Sequence, residues 1–348
     1  MLVAGVVRGS PSRGACDRRG VSQSTDSGVR TWTEWGMTEN LARLKENDPV
    51  PEGAIVVGLD GSEKDEAVLA FAEDEAVRLG APIHLVVAHE VHAGLVGAWD
   101  AGFVPVGLEV DLAEAGARIL ARGAQRVRDA RPELVASTSQ PWGTPSHALI
   151  EASESARLVV VGSGRKGAVE QVLLGTTSLD TAMHAHCPVA VVGVGSPNPN
   201  GPVVVGVDGS SHSRPAARLA VEEAATRGVR VVAVTTWWLE VIDGVVVTEP
   251  ESHEWRQVEA GYRAAVEEAL APARAAHPEV EVEIVIENAR PAVTLVERAK
   301  DASVLVVGSR GRGGFVGKAL GSVSHKVLQR ATCPVIVTRP HPQHPKDA

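Results

Sequence analysis

An internal duplication is the feature that most constrains the fold of this 348-residue chain. Gly58 and Gly206, which each close a run of apolar residues, are 148 positions apart. Near the other end of each copy, Cys187 and Cys333 begin matching Cys-Pro-Val sequences that are 146 positions apart. A nearly constant offset along a whole domain indicates two copies of one unit. The sequence therefore predicts two domains of the same fold.

Each copy alternates short apolar runs with segments of helical periodicity. In the first copy, Val68, Phe71, Ala72, Ala76 and Leu79 lie on one face of a predicted helix. Strands alternating with helices are typical of an α/β fold with a parallel, doubly wound sheet. The predicted strands of this copy cover residues 54–57, 83–88, 134–140, 158–161 and 189–192, and a second helix is predicted near 111–130.

The start of the first helix carries a capping signal. Ser62 stands three residues before Asp65, the spacing at which a hydroxyl and a carboxylate satisfy the first amides of a helix. We therefore expect Ser62 to be the cap and Asp65 to be its partner.

The ends of the chain and the segment between the copies differ from the two repeats. Residues 1–50 are rich in Gly, Ser, Arg and Thr without a sustained apolar period, which predicts a disordered tail. Met37 is a candidate for the natural start of translation. We expect a first domain over 51–197, a second over 201–340 and a short tail over 341–348, with linker chemistry at 195–202.

Charge and composition narrow the classes of partner. The net charge is −9 and no run rich in Lys or Arg occurs, so neither nucleic acid nor an anionic membrane is an expected partner. No apolar run approaches the roughly 20 residues of a spanning helix. Three cysteines are too few for a disulfide scaffold, and residues 1–7 are too short for a signal peptide. A cytoplasmic location is expected.

A glycine loop follows the apolar run at 304–307. Gly308 and Gly311 are expected to let the backbone take positive φ and to let amides approach a ligand. Gly321 then opens a second helical pattern, whose first amides and dipole attract an anion. Gly317-Lys318 is followed by Ala319, which excludes a Walker A loop. The stretch predicts a phosphate-binding loop of another kind.

Asp60 and Asp208 follow the first predicted strand of each copy in matching Asp-Gly-Ser sequences. Ligands of open parallel sheets bind beyond the carboxyl ends of the strands, where the strand order reverses. If the first and fourth strands are neighbours, a carboxylate will face a phosphate-binding loop. This is the polarity of a nucleotide, although an aspartate in such a turn is often only a structural residue.

Four motifs in the same order in both copies resemble the universal stress protein family. They are Asp-Gly-Ser, a turn at Gly143-Thr144-Pro145 matched by Ala289-Arg290-Pro291, the glycine loop with its G-x2-G-x9-G-S spacing, and Cys-Pro-Val. The resemblance implies a tandem protein of the ATP-binding type. Each domain would be Rossmann-like, of the adenine nucleotide alpha hydrolase-like kind, with a five-stranded parallel sheet in the order 3-2-1-4-5.

The resemblance also implies the site residues. In the second copy, Asp208 would lie on the ribose and adenine side, the backbone near Thr236 would face adenine, and the phosphates would be held by Gly308, Gly311, Gly321, Ser322 and Ser324. The corresponding residues of the first copy are Asp60, Ala88, Gly162, Gly175, Thr176 and Ser178. The implied ligand is ATP, with or without Mg²⁺, and no catalytic or metal-binding residue is implied.

One position departs from this pattern. Arg165 stands where the second copy has Gly311. Its charge favours phosphate, but its side chain occupies space that the loop needs. We expect the second copy to bind ATP more tightly.

Two functions remain open at this point. The first is a non-enzymatic, ATP-binding stress-response regulator whose nucleotide state controls conformation or partner binding. The alternative is a slow ATP hydrolase or phosphotransferase, although the motifs supply no positioned base and no Walker lysine. We also expect a homodimer of tandem chains, with the fifth strands at or near the interface between the two domains.

Other conspicuous side chains receive structural interpretations. Trp99, Trp237 and Trp238 are expected to line or cover the site rather than to react. Cys187 and Cys333 precede proline at a strand start and are expected to be buried. His184, His186 and Cys187 lack a second ligand cluster nearby, so a metal site is not expected.

Overall fold

The protein is represented by a computed structural model. It describes residues 47–90, 108–164, 174–193, 195, 197–238, 241–242, 245–246, 249–250, 252–311 and 320–339. The N-terminal tail predicted over 1–50 lies outside the described residues up to position 46, as do Met37, Trp99, Arg165 and the C-terminal tail.

The described residues of the first repeat alternate strands with helices, as predicted. Its strands are β1 (Ala54–Gly58), β2 (Ile83–Val86), β3 (Ala136–Ser139), β4 (Ala156–Gly162) and β5 (Val189–Val192). Its helices are α1 (Asp65–Leu79), α2 (Leu108–Ala130), α3 (Pro145–Ala152) and α4 (Thr176–His184).

The second repeat follows the same order and adds a two-stranded hairpin. Its strands are β6 (Val203–Gly206), β7 (Val231–Trp237), β8 (Val241–Ile242), β9 (Val245–Val246), β10 (Val282–Asn288), β11 (Val304–Gly308) and β12 (Val335–Thr338). Its helices are α5 (Ser213–Arg227), α6 (His253–Ala276), α7 (Pro291–Arg298) and α8 (Ser322–Arg330). The hairpin formed by β8 and β9 is separate from the main sheet.

Both repeats have the predicted sheet topology. The spatial order is β3-β2-β1-β4-β5 in the first repeat and β10-β7-β6-β11-β12 in the second, and all pairs within a repeat are parallel. This is the order 3-2-1-4-5 twice. The four-residue strands β5 and β12 are buried along their whole length, because helices cover both faces of the sheet.

The fifth strands join the two repeats into one ten-stranded sheet. β5 and β12 pair antiparallel, with Ala190 opposite Ile336. Each strand thereby satisfies the backbone groups that the edge of an isolated sheet would expose. The prediction that the fifth strands lie at the interface between the repeats is confirmed.

Two helical layers cover this common sheet. One apolar cluster contains residues of α1, α2, α5 and α6, and a second cluster on the opposite side contains residues of α3, α4, α7 and α8. Each cluster includes side chains from both repeats. The hydrophobic core is therefore continuous across the junction. Among the described residues, no helix has both the length and the apolar character needed to span a membrane.

A buried ionic cluster links α1 to α5 at this junction. Arg227 donates to Glu75, which is fully buried, and lies 2.8 Å from Glu223. Arg78 also contacts Glu75, and its guanidinium is 3.7 Å from Glu223. Burial, followed by the neighbouring Glu223, raises the pKa of Glu75. Glu75 and Glu223 occupy matching positions 148 residues apart, so the duplication itself brings two carboxylates together at the junction.

His84 is a fully buried polar residue in β2. Its ring nitrogens lie 2.8 Å from Ser137 Oγ and 2.9 Å from Ser139 Oγ, both on β3. Burial lowers the pKa of His84, because the charged imidazolium would lose its hydration. The second repeat has Val232 at the matching position.

The segment between the repeats is packed tightly at two glycines. A β-carbon at Gly195 would lie 1.8 Å from the carbonyl oxygen of Thr332, and one at Gly201 would lie 2.0 Å from that of Asp301. Linker chemistry was predicted here, but these two positions are glycine because another backbone passes next to them.

Candidate functional site

The candidate sites lie at the carboxyl ends of the first and fourth strands of each repeat. β1 pairs with β4, and β6 pairs with β11. Strand order reverses at these pairs, since the chain continues outward on both sides of them. The predicted neighbourhood of the Asp-Gly-Ser turn and the glycine loop is therefore present in both repeats.

The Asp-Gly-Ser turns have the same geometry in both repeats. Oδ1 of Asp60 accepts a hydrogen bond from the amide of Ser62 at 2.9 Å, and Oδ1 of Asp208 accepts one from the amide of Ser210 at 2.9 Å. The intervening Gly61 and Gly209 have φ values of 78° and 75°, which glycine adopts without steric cost. Each aspartate thus has a structural role in its turn.

The glycines of the loop after β11 allow close packing. A β-carbon at Gly308 would lie 2.6 Å from the carbonyl oxygen of His212, and one at Gly311 would lie 2.5 Å from Oδ2 of Asp208. Neither glycine has positive φ. The expectation of a left-handed backbone at these two positions is therefore wrong. Glycine is needed because carbonyl and carboxylate oxygens approach the loop backbone.

A serine ties this loop to the helix behind it in each repeat. Ser324 Oγ donates to the carbonyl oxygen of Gly308 at 2.6 Å, and Ser178 Oγ donates to that of Gly162 at 2.6 Å. Both serines are buried. These bonds hold the loop against the start of α8 or α4. Direct contact of either serine with phosphate stays a prediction.

The start of α8 faces the same loop. Gly321 is the residue before the helix, with extended backbone, and its amide donates to the carbonyl oxygen of Ser309 at 2.8 Å. Ser322 is exposed at the first helical position. Gly175 and the exposed Thr176 have the same places before α4. The helix starts offer their first amides toward the crevice in both repeats.

The residues expected near adenine lie beyond the paired part of the neighbouring strand. Pairing of β6 with β7 reaches Gly206 opposite Val234, whereas β7 continues to Trp237. Thr236 is therefore at the carboxyl end of the sheet, next to the crevice, and is half-buried. Ala88 is also half-buried and follows β2 in the first repeat.

The first repeat has charged groups that the second lacks. The Asp65 carboxylate accepts hydrogen bonds from the amides of Asp60 (3.3 Å) and Gly61 (2.9 Å), and burial raises its pKa. The ammonium of Lys64 contacts the carbonyl oxygens of Ser163 and Gly164 in the loop after β4. The prediction of a Ser62 cap is wrong, because α1 begins only at Asp65 and that carboxylate turns back to the Asp-Gly turn.

The second repeat has a cluster of basic side chains that the sequence analysis missed. Burial lowers the pKa of His212, and so do the positive charges of Arg310 and Arg339, whereas Asp208 opposes the shift. Burial and the charge of Arg310 likewise lower the pKa of Arg339. The first repeat has Lys64, Gly164 and Gly193 at the matching positions. These differences in sequence between the two copies were the signal from which the basic cluster could have been found.

The two tryptophans after β7 have different environments. Trp237 is only 3% exposed and packs edge-on against Trp255, with ring centroids 4.5 Å apart. It is a core residue and does not line the site, contrary to expectation. Trp238 is 62% exposed, and the guanidinium of Arg290 lies 5.5 Å from its ring centroid.

Cys333 is buried, as expected, whereas Cys187 is only partly buried. Burial raises the pKa of the Cys187 and Cys333 thiols to about 12, so both stay protonated at neutral pH. His184 lies 2.9 Å from Asp180 of its own helix. Within the described ranges, no group of three or more His, Cys, Asp or Glu side chains is placed to hold a metal ion.

Comparison with known proteins gives concordant results. The model of the Universal stress protein family matches residues 53–193 and again 199–339. A universal stress protein of Mycolicibacterium smegmatis is 40% identical over 297 residues, which are 83% of this chain and 98% of that protein. A universal stress protein of Mycobacterium tuberculosis is 37% identical over 305 residues, 84% of this chain and 98% of that one.

A solved structure shares the fold at lower identity. The universal stress protein from Archaeoglobus fulgidus superposes with a TM-score of 0.60 and 20% identity, covering 83% of this chain and 97% of that chain. Two matches to the family model, together with relatives that are this similar over most of their length, lead to one conclusion. The chain belongs to the universal stress protein family and contains two tandem domains of that family.

Proposed function

We propose that the second repeat binds ATP and that the protein is a non-enzymatic stress-response regulator, whose nucleotide state controls its conformation or its choice of partner. The observation that carries this proposal is the packing of Asp208 against Gly311 at the switch point. A carboxylate suited to ribose hydroxyls there adjoins a loop and a helix start suited to phosphates.

The residues of the second site fit a nucleotide. Asp208 and the backbone of Thr236 would contact the nucleoside, and the phosphates would be held by Gly308, Gly311, Gly321, Ser322 and Ser324. The hydroxyls of Ser309 and Thr338 support an additional polar ligand or water, since both are buried without a hydrogen-bond partner among the described residues. A buried polar atom without a partner is costly unless another molecule satisfies it.

We propose a weaker site in the first repeat, formed by Asp60, Ala88, Gly162, Gly175, Thr176 and Ser178. Two observations support a difference in affinity. The carboxylate of Asp65 already occupies the amides of Asp60 and Gly61, and its negative charge disfavours a second anion nearby. The Lys64 ammonium is engaged by loop carbonyls.

The proposal includes slow or no turnover. Serines and amides bind phosphate without activating a water molecule, and Ser324 is already bonded to Gly308. The alternative is a slow ATP hydrolase or phosphotransferase on the same fold. Steady-state hydrolysis measured with Mg²⁺ or Mn²⁺ separates the two. Turnover on the order of 10 per second would establish an enzyme and reject the regulator.

We also propose a cytoplasmic location and a limited range of partners. The net charge of −9 supports a protein without nucleic-acid or anionic-membrane partners, and three cysteines fit a reducing cytoplasm. We propose a homodimer of tandem chains. Size-exclusion chromatography with light scattering, with and without ATP, measures both the dimer and any nucleotide-dependent change in shape.

The nucleotide itself is tested by mass spectrometry of the small molecules released when the purified protein is denatured by heat. Titration calorimetry of the full chain with ATP then tests the site. Asp208→Asn keeps an oxygen that accepts from Ser210 but removes the charge, so it is expected to weaken ATP binding without unfolding the turn. Asp60→Asn is the matched variant in the first repeat. No nucleotide released and no heat of ATP binding would reject the proposal.

A further inference from the structure

The two edge strands of the common sheet differ in length, composition and cover. They are β3 in the first repeat and β10 in the second. β3 has four residues, three of them polar, whereas β10 has seven in the sequence Val-Glu-Ile-Val-Ile-Glu-Asn. The strands between these edges are largely buried, but the four apolar side chains of β10 are only half-buried. The edge formed by β10 is therefore long and partly apolar.

The edge formed by β3 is covered by residues that precede β1. The amide of Asp48 donates to the carbonyl oxygen of Thr138 at 3.1 Å, and the Asp48 carboxylate accepts from the amide of Thr138 at 3.0 Å. The side-chain oxygen of Asn47 accepts from the amide of Gln140 at 2.7 Å. Thr138 and Gln140 belong to the alternate residues whose backbone groups point away from β2. The first edge is thus blocked for a further strand.

The edge formed by β10 has no such cover among the described residues. The carbonyl oxygen of Glu281 and the amide of Ala289 bond to β7, so the odd-numbered residues of this stretch face that strand. The even-numbered residues Val282, Ile284 and Ile286 therefore direct their amides and carbonyls outward. No described residue forms a hydrogen bond with these outward groups. Such a row of unpaired groups is a template for another strand.

The duplication explains why only one edge is covered. The residues that cover β3 precede β1, and the corresponding segment of the second repeat is the linker before β6. Gly195 of this linker lies against Thr332, and Gly201 lies against Asp301. These contacts are with the segments before β12 and β11, which are on the other side of β6 from β10. The linker is therefore held away from the outer edge of β10.

The carboxylates of β10 are matched by arginines of the same repeat. Glu283 lies 2.6 Å from Arg230, and Glu287 contacts Arg298 of α7. Val285 lies between the two glutamates and packs into the apolar cluster on the α7 side of the sheet. If two copies of β10 paired antiparallel about Val285, Glu283 of one copy would be opposite Glu287 of the other. The arginines neutralise the repulsion that two bare carboxylates would have there.

We propose that β10 is an interaction edge for a second copy of this chain, which pairs antiparallel through its own β10 about a two-fold axis at Val285. The inference rests on the proposed homodimer and names its surface, and it does not depend on nucleotide binding. Ile284 of each copy exchanges two backbone hydrogen bonds with Ile286 of the other. Because β3 is blocked, each chain has a single open edge, so association closes at a dimer and does not continue into a filament. The antiparallel pairing of β5 with β12 is the same kind of junction within one chain.

A disulfide across the axis tests the pairing and its register. Opposite residues of a non-hydrogen-bonded antiparallel pair have α-carbons about 4.5 Å apart, within the range of a disulfide. In a Cys16→Ser background, mild oxidation of Val285→Cys is expected to give a covalent dimer on a denaturing gel. Cys187 and Cys333 stay protonated and do not compete. Val135→Cys, at a position that is 71% exposed beside the blocked edge, is the control and is expected to stay monomeric on that gel.

Two further variants test the hydrogen bonds and the charges of the edge by light scattering of the full chain. The amide of Ile284 points outward, so Ile284→Pro removes a donor to the second copy without breaking a bond to β7. It is expected to raise the dissociation constant of the dimer on the order of tenfold or more. The double variant Arg230→Gln with Arg298→Gln exposes the glutamates to one another. It is expected to weaken the dimer at low salt and to do so less at high salt.

The outcomes separate this inference from the proposed function. Thermal unfolding shows whether each variant is folded. A dimer that Ile284→Pro leaves unchanged, or equal cross-linking of Val285→Cys and Val135→Cys, would overturn the β10 edge and leave a homodimer through another surface. A monomeric wild type would reject the homodimer together with the edge. Titration with ATP is read separately, so a failure of nucleotide binding cannot be mistaken for either result.

Discussion

The carboxylate of Asp208 lies so close to Gly311 that a β-carbon at position 311 would be 2.5 Å from Oδ2. The turn after β6 and the loop after β11, which are far apart in the sequence, meet at this point. Asp208 is fixed on its other side by the amide of Ser210. The contact therefore couples the nucleoside side of the proposed site to its phosphate side.

We predict that Gly311→Ala weakens ATP binding at the second site by about tenfold, or ~1.4 kcal/mol. The added methyl group must displace either the Asp208 carboxylate or the loop. Gly311→Arg is expected to weaken binding as well, although its charge offsets part of the loss. Titration calorimetry measures both variants.

The control for this prediction is Gly261→Ala. Gly261 is inside α6 with open space around its α-carbon, so alanine should leave ATP affinity unchanged and stabilise the helix slightly. Equal ATP affinity in Gly311→Ala and the wild type would mean that the glycine is not needed for binding.

The ionic cluster between the repeats predicts a large loss of stability in Arg227→Leu. Leucine is chosen because Leu79 occupies the matching position of the first repeat. Glu75 would lose one of its two buried cations, and removal of one member of a buried pair costs about 3–5 kcal/mol. Urea unfolding followed by circular dichroism measures this loss. Arg218→Ala breaks an exposed pair with Glu222 and should cost less than about 1 kcal/mol. Similar losses in both variants would contradict a special role for the cluster.

His84 predicts a loss of stability in mild acid. Its folded pKa is lowered, so between that value and the unfolded pKa of about 6.5 the unfolded chain binds more protons. The contribution of His84 is therefore complete above about pH 6.5 and decreases as the pH falls toward the folded pKa. The free energy of unfolding should fall by up to about 1.4 kcal/mol per pH unit in this window.

Comparison with His84→Val isolates this effect from other titrating groups. Val232 occupies the matching position of the second repeat, so valine is compatible with this strand. Urea unfolding at several pH values between 7.5 and 5 should give a flatter dependence in the variant. Parallel curves for the two proteins would show that His84 does not contribute.

The tight linker predicts that Gly201→Ala destabilises the protein by about 1–3 kcal/mol. Its β-carbon would overlap the backbone of Asp301, which cannot move aside by a side-chain rotation. Gly261→Ala again serves as the control, and thermal unfolding is the measurement. A melting temperature equal to that of the wild type would show that the linker can shift without cost.

Much of the fold follows from local patterns in the sequence. The apolar runs ending at Gly58, Gly206 and Gly308 specify buried strands, because a strand covered on both faces needs apolar side chains at every position. The repeat offset and the order of motifs also predicted the 3-2-1-4-5 topology through the family resemblance. Asp208 and the glycine loop were predicted to face one another, since parallel strands bring their carboxyl ends together.

Features that depend on long-range packing could not be predicted in this way. Position 311 requires glycine because the carboxylate of Asp208, more than 100 positions earlier in the chain, packs against it. The predicted Ser62 cap is absent because the Asp65 side chain turns back and accepts a hydrogen bond from the amide of Gly61. Trp237 was assigned to the site from its sequence position, but its burial depends on Trp255 of α6.

The sequence by itself determined two repeats, their strands and the turns at which a site is expected, because hydrophobic periodicity and glycine spacing act locally. Only the tertiary structure decided the antiparallel pairing of β5 with β12 and the buried contact of Glu75 with Arg227. Each of these joins residues that are far apart in the chain. Their distances are set by how the strands of the common sheet and its helices pack, and that packing reflects the sum of many weak contacts rather than any one motif.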